Sequence, residues 1–172
     1  MQPEHEVLIS DWFRRVRENQ FIHYACGNHF SRLNYWLGIP TIILTTAVGT
    51  AIFATLETET TGALRIGIGL VSILASVLAA LHTFLGFSER AEKHRLTAAG
   101  YASVRRQLEF LKTFPVGDEK ELSQRLESTK QEIDNLAKAS PEVPEKIWNK
   151  KVMELKGREH KRIFHLPAGS GQ

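Results

Sequence analysis

Tyr35 to Leu56 reads YWLGIPTIILTTAVGTAIFATL, and Ile66 to Phe87 reads IGIGLVSILASVLAALHTFLGF. Neither block contains an Asp, Glu, Lys or Arg. The nearest charges are Arg32 and Glu57 around the first, and Arg65 and Glu89 around the second. At 1.5 Å per residue each block makes roughly 33 Å of helix, against a hydrocarbon core of about 30 Å. Glycine and threonine recur in both, as is common in membrane helices and unfavourable in exposed soluble ones. The two blocks therefore read as transmembrane helices. The alternative, a soluble hairpin of two core helices, would rarely stay uncharged over such a length.

The second block is the more apolar. Its twelve Leu, Ile, Val or Phe residues are worth about −4 to −7 kcal/mol on an insertion scale before its polar residues are counted. The first block has nine, so its threonines and Pro40 leave it nearer balance. Pro40 is expected near the first turn of its span, where a missing N–H costs least. The nine-residue connection ETETTGALR forces an antiparallel pair and contains one basic residue, Arg65. The outer flanks carry Arg14, Arg15, Arg17 and Arg32 on one side and Arg90, Lys93, Arg95, Arg105 and Arg106 on the other. The positive-inside bias puts both termini in the cytoplasm and the connection outside. Tyr35 and Trp36 stand where an interfacial aromatic anchor is expected.

Working outward, the expected fold class is an all-α membrane protein: a two-helix transmembrane hairpin whose long helices extend into a cytoplasmic helical bundle. Its parts are an N-terminal cytoplasmic helix (1–34), the first span (35–56), an external turn (57–65), the second span (66–87), a cytoplasmic helical hairpin (88–139), a basic C-terminal helix (140–165) and a disordered tail (166–172). In the N-terminal helix the apolar positions Ile9, Trp12, Phe13, Val16, Phe21, Ile22 and Tyr24 form a ragged pattern, and no breaker separates it from the first span. After the second span Tyr101, Val104, Leu108 and Leu111 make a heptad seam. Continuous with the second span, that helix would run from Ile66 to Thr113. Asp118 is a good N-cap for the next helix, whose seam is Leu122, Leu126, Thr129, Ile133 and Leu136. In the last helix Ile147, Trp148, Val152 and Leu155 form an apolar side among lysines and arginines. It either rests on anionic lipid or docks on the acidic helix before it. Arg90, Lys93, Arg95, Lys150 and Lys151 are the basic residues placed to meet a membrane surface.

Composition excludes several classes. A net charge of +3 with no basic–aromatic recognition segment gives no case for nucleic acid. One cysteine, Cys26, permits no internal disulfide and no CxxC metal site. The polar start, MQPEHEVLISDWFRRVREN, is not expected to be a secretory signal. Among the seven histidines there is no HExxH and no pair of ExxH motifs, and the chain has no GxSxG or P-loop. Glu89, Glu92 and His94 lie close in sequence, but interleaved Arg90, Lys93 and Arg95 favour ion pairing. Cys26 with an exposed histidine nearby in sequence is a weak case for a nucleophile. No enzyme activity, metal or cofactor is expected.

The spans themselves carry the candidate functional residues. In the second, Gly69, Ser72, Ser76, Ala79, Thr83 and Gly86 recur at alternating intervals of three and four. In the first, Gly38, Thr41, Thr45 and Gly49 lie along a similar stripe. Small seams let helix backbones approach closely in lipid. The stripes either pack on each other within one hairpin, or one of them faces its copies and lines a lumen. Conduction would need a homo-oligomer. With helix axes about 9 Å apart, four inner helices leave a hole of about 1.5 Å radius and five about 2.5 Å. No charged ring exists within the spans, so such a pore would be poorly selective and could gate by dewetting. His82 is the only ionisable side chain within a span apart from Tyr35 at its edge. It is either a neutral partner of the neighbouring helix or a gate.

This layout resembles the SLATT family, the two-span membrane effector domain associated with SMODS nucleotidyltransferases and SLOG sensors. The resemblance rests on FSERAEKHRLTAAGYASVRRQLE (Phe87 to Glu109) and PEVPEKIW (Pro141 to Trp148), and it covers roughly Leu8 to Trp148. It implies a bacterial anti-phage or conflict role at the inner (cytoplasmic) membrane. A nucleotide-signalling or sensor partner encoded nearby would trigger an effector that permeabilises the membrane and kills or arrests the cell. No sensor or nucleotidyltransferase segment is recognised in this sequence, so the trigger is expected from a partner or at the cytoplasmic helices. The alternative is a non-conducting membrane anchor that recruits a cytoplasmic partner.

Overall fold

The computed structural model describes residues 3–56, 61–114 and 118–159. The described residues form five helices, α1 (Pro3–Leu56), α2 (Gly62–Leu85), α3 (Phe87–Thr113), α4 (Glu119–Ala139) and α5 (Glu145–Glu159), and no strand. Of the turn expected at 57–65, residues 57–60 lie outside the described residues, Thr61 is the N-cap of α2, and Gly62 to Arg65 already belong to that helix, so the turn is shorter than expected; the tail expected at 166–172 lies outside the described residues. Two helical stretches, within residues 4–55 and from Gly62 onward, are long and apolar enough to cross a membrane. The chain divides into two compact units, residues 1–26 with 93–172, and residues 27–92.

In the first unit large apolar side chains meet along heptad-spaced faces. The core is Ile9 and Val16 from α1, Tyr101, Val104, Leu108 and Leu111 from α3, and Leu122 and Leu126 from α4. Ile133 and Leu136 pack against it, and Thr129 is buried on the same face of α4. Both seams read from the sequence in α3 and α4 thus turn inward. The Asp118 carboxylate accepts a hydrogen bond from the Lys120 backbone N–H at 3.1 Å, capping α4. Gly100 lets α3 and α4 approach closely, since a Cβ there would fall 2.5 Å from Leu136 Cδ2. In α5 Leu155 is buried, Ile147 and Val152 are half-buried, and Trp148 is exposed.

The second unit contains the remainder of α1, all of α2 and the first residues of α3. Pro40 does not stand in a first turn, because α1 runs through it without interruption. It therefore deprives the Trp36 carbonyl of its helical donor. The run expected from Ile66 to Thr113 is interrupted at Gly86, which adopts φ 55° and ψ 37° and separates α2 from α3. A residue with a Cβ would cost about 1–2 kcal/mol in that left-handed conformation. The break was hidden because glycine is frequent throughout the span. The Gly86 carbonyl still accepts from the Arg90 N–H at 3.1 Å, which starts the new helix at once.

Candidate functional site

The 4-3 spacing on α1 that begins at Ile9 continues through Phe13, Val16, Gln20 and His23. The last two are polar, yet both are buried. His23 meets His94 of α3, with the two Nδ1 atoms 2.9 Å apart. The His23 ring also stacks on Tyr101 at 5.8 Å between centroids. Two imidazoles can share that contact only if one donates Nδ1–H and the other accepts through its Nδ1 lone pair. The pair therefore has room for one bridging proton, and a second would place two N–H groups face to face. Burial, and secondarily the nearby His94, pushes His23 down to about 4; burial also lowers His94. Cys26, one turn further along α1, is fully buried and its thiol is pushed up to about 11 by the same desolvation. A thiol so held stays protonated at neutral pH and is a poor nucleophile.

These positions refine two readings of the sequence. His94 does not join Glu89 and Glu92 in a surface cluster: it is buried against His23, whereas Glu89, Arg90, Glu92, Lys93 and Arg95 are exposed. Of the two histidines three residues from Cys26, His29 is exposed, whereas His23 is buried and held neutral by that burial. The signal for the pair was the helical register itself, since His23 continues the stripe from Ile9, and His94 continues Tyr101 and Ala98 towards Ala91. A search for apolar residues alone passes over both.

In the second unit the spacing continues along α1 through Leu37, Thr41, Leu44, Val48 and Ala51, all buried or half-buried. On α2 the inward face is Ile68, Ser72, Ala75, Ala79 and His82, continued by Gly86 at its C-cap. It shares Ser72, Ala79 and Gly86 with the stripe read in the sequence and at every second position is shifted by one residue, to Ile68, Ala75 and His82. Ser72, Ala79 and Gly86 are half-buried, while Gly69, Ser76 and Thr83 are exposed. On α1, Thr41 is buried, Gly38 and Gly49 are half-buried and Thr45 is exposed. Hydroxyls in these spans donate to carbonyls of their own helix. Thr41 bonds Leu37 at 2.7 Å, Ser72 bonds Ile68 at 2.8 Å, and Ser76 bonds Ser72 at 2.9 Å. Their donors are satisfied without water, as a hydrocarbon setting requires.

His82 packs its ring on the backbone of Gly38: a Cβ at residue 38 would fall 2.9 Å from Cε1. Its Nδ1 is buried without a hydrogen-bond partner among the described residues. Beside it a cavity of about 490 Å³ opens between α1 and α2, lined by Asn34, Tyr35, Thr41 and Thr83 among others. Of the basic residues placed at a membrane surface, Lys150 is exposed, whereas Lys151 is half-buried and paired with Glu154 at 2.5 Å.

Fold and site together define an all-helical protein with two helices long and apolar enough to cross a membrane. Comparison of the chain with protein-family models, with curated proteins and with solved structures returns no match.

Proposed function

We propose that this chain is an oligomeric membrane effector, anchored as a hairpin in the bacterial inner membrane with both termini in the cytoplasm. Its spans rearrange on activation and make the membrane leaky. The observation that carries this reading is the exposure of the span surfaces. None of the most apolar stretch of the first span is buried, and only 6% of that of the second. Ile42, Phe53, Leu70 and Phe84 all stand outward. A core helix of a soluble protein would hide such residues; in hydrocarbon they need no cover.

Conduction in particular is supported by what lies between those large side chains. Gly69, Ser76 and Thr83 recur every seventh residue and are uncovered in the single chain. That edge is narrow enough for other copies to approach, and its hydroxyl oxygens can solvate an ion weakly. The resemblance to SLATT domains adds the biological setting: an anti-phage response triggered by a nucleotidyltransferase or sensor partner. The rival reading, a non-conducting anchor, draws on the other half of the stripe, because Ser72, Ala79 and Gly86 are half-buried inside the unit.

Dye and ion release from liposomes containing the purified protein, with and without the partner's signal, separates the two. The effector reading expects signal-dependent release that rises more steeply than linearly with protein density. Ser76→Leu and Thr83→Leu should reduce it about 10-fold by filling the lumen-facing edge. Intact oligomers that release nothing with or without the signal would replace the effector by the anchor. Reporters fused to each end should be active only in the cytosol, and a periplasmic signal from either would overturn the topology.

A further inference from the structure

A cavity of about 490 Å³ opens between α3 and α4 in the first unit, and its charge is one-sided. Arg106 of α3 and Arg125 of α4 both line it, and no carboxylate does. Arg106 is exposed and has no ion-pair partner among the described residues. The Arg125 guanidinium is held by Glu121 one turn away, with Nη2 at 2.7 Å and Nε at 3.0 Å from the same carboxylate oxygen. Ser103 and Ser128 add hydroxyls with no partner among the described residues. The remaining wall includes Phe110, half of whose surface is exposed at 54%, and buried Leu111.

Two other cavities among the described residues lack this combination. The one beside His82 is apolar, and the one lined by Trp12 sets Arg15 and Lys130 against Asp134. Guanidiniums bind phosphate through paired N–H donors, and hydroxyls complete its coordination. An aromatic face beside them takes a flat or apolar group of the same molecule. The volume suits a small ligand rather than a polymer.

We propose that the α3–α4 cleft is a binding site for a small soluble organic phosphate. Arg106 and Arg125 grip the phosphate, and Phe110 covers the organic part. The site is independent of whether the spans conduct. Glu121 competes for one of the two guanidiniums, so a phosphate must displace it to engage Arg125 fully.

The test is calorimetric titration of the full chain in zwitterionic nanodiscs with adenosine monophosphate, adenosine and inorganic phosphate as probes. Adenosine monophosphate should bind saturably, inorganic phosphate more weakly, and adenosine not at all. Arg106→Gln and Arg125→Gln should each weaken binding about 10-fold or more. Arg106→Lys keeps the charge but loses the fork, and should still weaken it several-fold. Glu121→Gln frees Arg125 and should tighten it. Thermal melts without ligand check that these exposed substitutions leave the bundle folded. Absence of saturable phosphate binding overturns the site. So does full binding in Arg106→Lys and Arg106→Gln, which would mark a diffuse charge effect. Loss of the probe on changing to phosphatidylglycerol nanodiscs would assign the guanidiniums to a lipid headgroup and overturn the soluble-ligand proposal.

Discussion

The two compact units use the same 4-3 helical spacing with opposite contents. In residues 1–26 and 93–172 the seam holds Ile9, Val16, Val104 and Leu108, all at most 1% exposed, and charges cover the outside. Within the apolar blocks 35–56 and 66–87 of the other unit the buried positions are small, Thr41 and Ala75, while Trp36 at 80% and Phe84 at 85% exposure face outward. Water drives large apolar groups together, so a seam in water is stabilised by bulk. Hydrocarbon supplies no such drive, so a seam there is stabilised by close backbone contact and satisfied polar groups. On the proposed membrane reading one periodicity therefore serves two solvents, and the size of the residue at the seam identifies which.

Matched truncations break that comparison most directly. Leu108→Ala opens a cavity in the first unit and should cost about 2–5 kcal/mol. Phe84→Ala removes a larger side chain from an outward position and should cost less than about 1 kcal/mol, since on the proposed membrane reading that ring touches lipid in the folded and unfolded spans alike. Denaturation in micelles, followed for the first unit by Trp12 fluorescence, measures both. Equal losses would mean that the second unit also folds around bulk, and would favour a soluble hairpin.

The buried histidines sharpen the difference in a second way. His23 has its folded pKa lowered from 6.5 to about 4, so between those values the unfolded chain binds the extra proton. Stability from the neutral pair is therefore fully present above about pH 6.5 and declines as the pH falls through that window. The loss should reach about 2 kcal/mol by pH 5, where most carboxylates are still ionised. His23→Leu combined with His94→Leu should flatten this dependence in a urea titration of the first unit. A wild-type chain equally stable at about pH 5 and pH 7 would show that the pair is solvated rather than buried.

How far the sequence disclosed these arrangements depended on what filled each register. Tyr101, Val104, Leu108 and Leu111, and the leucines of α4, were legible because every inward position is apolar or nearly so. On α1 the inward stripe passes through Gln20, His23, Gly27 and Asn34, which hydropathy reads as interruptions, so a regular face looked ragged. On α2 both edges of the stripe carry small or polar residues, Ala75 beside Ser76 and His82 beside Thr83. Residue type alone could not fix the rotation to better than one residue. The phosphate-binding wall proposed for the α3–α4 cleft joins residues far apart in sequence and needed the packed pair before it became visible.

Gly38 offers the finest discrimination, because α1 carries a second span glycine as an internal control. Gly38 lies under the His82 ring, where an added Cβ would approach Cε1 at 2.9 Å, while nothing lies within 4 Å of the corresponding position at Gly49. Gly38→Ala should thus separate the helices locally and cost about 1–2 kcal/mol, while Gly49→Ala should be close to neutral. A steric forcing test in micelles, comparing each variant for hairpin stability, reads this directly. The same substitution repeated in a His82→Ala background completes a double-mutant cycle. If the ring is what Gly38 accommodates, the penalty of Gly38→Ala disappears there, and His82 is held by packing against α1. An undiminished penalty without the imidazole would detach His82 from the helix contact and leave its buried Nδ1 to a different partner.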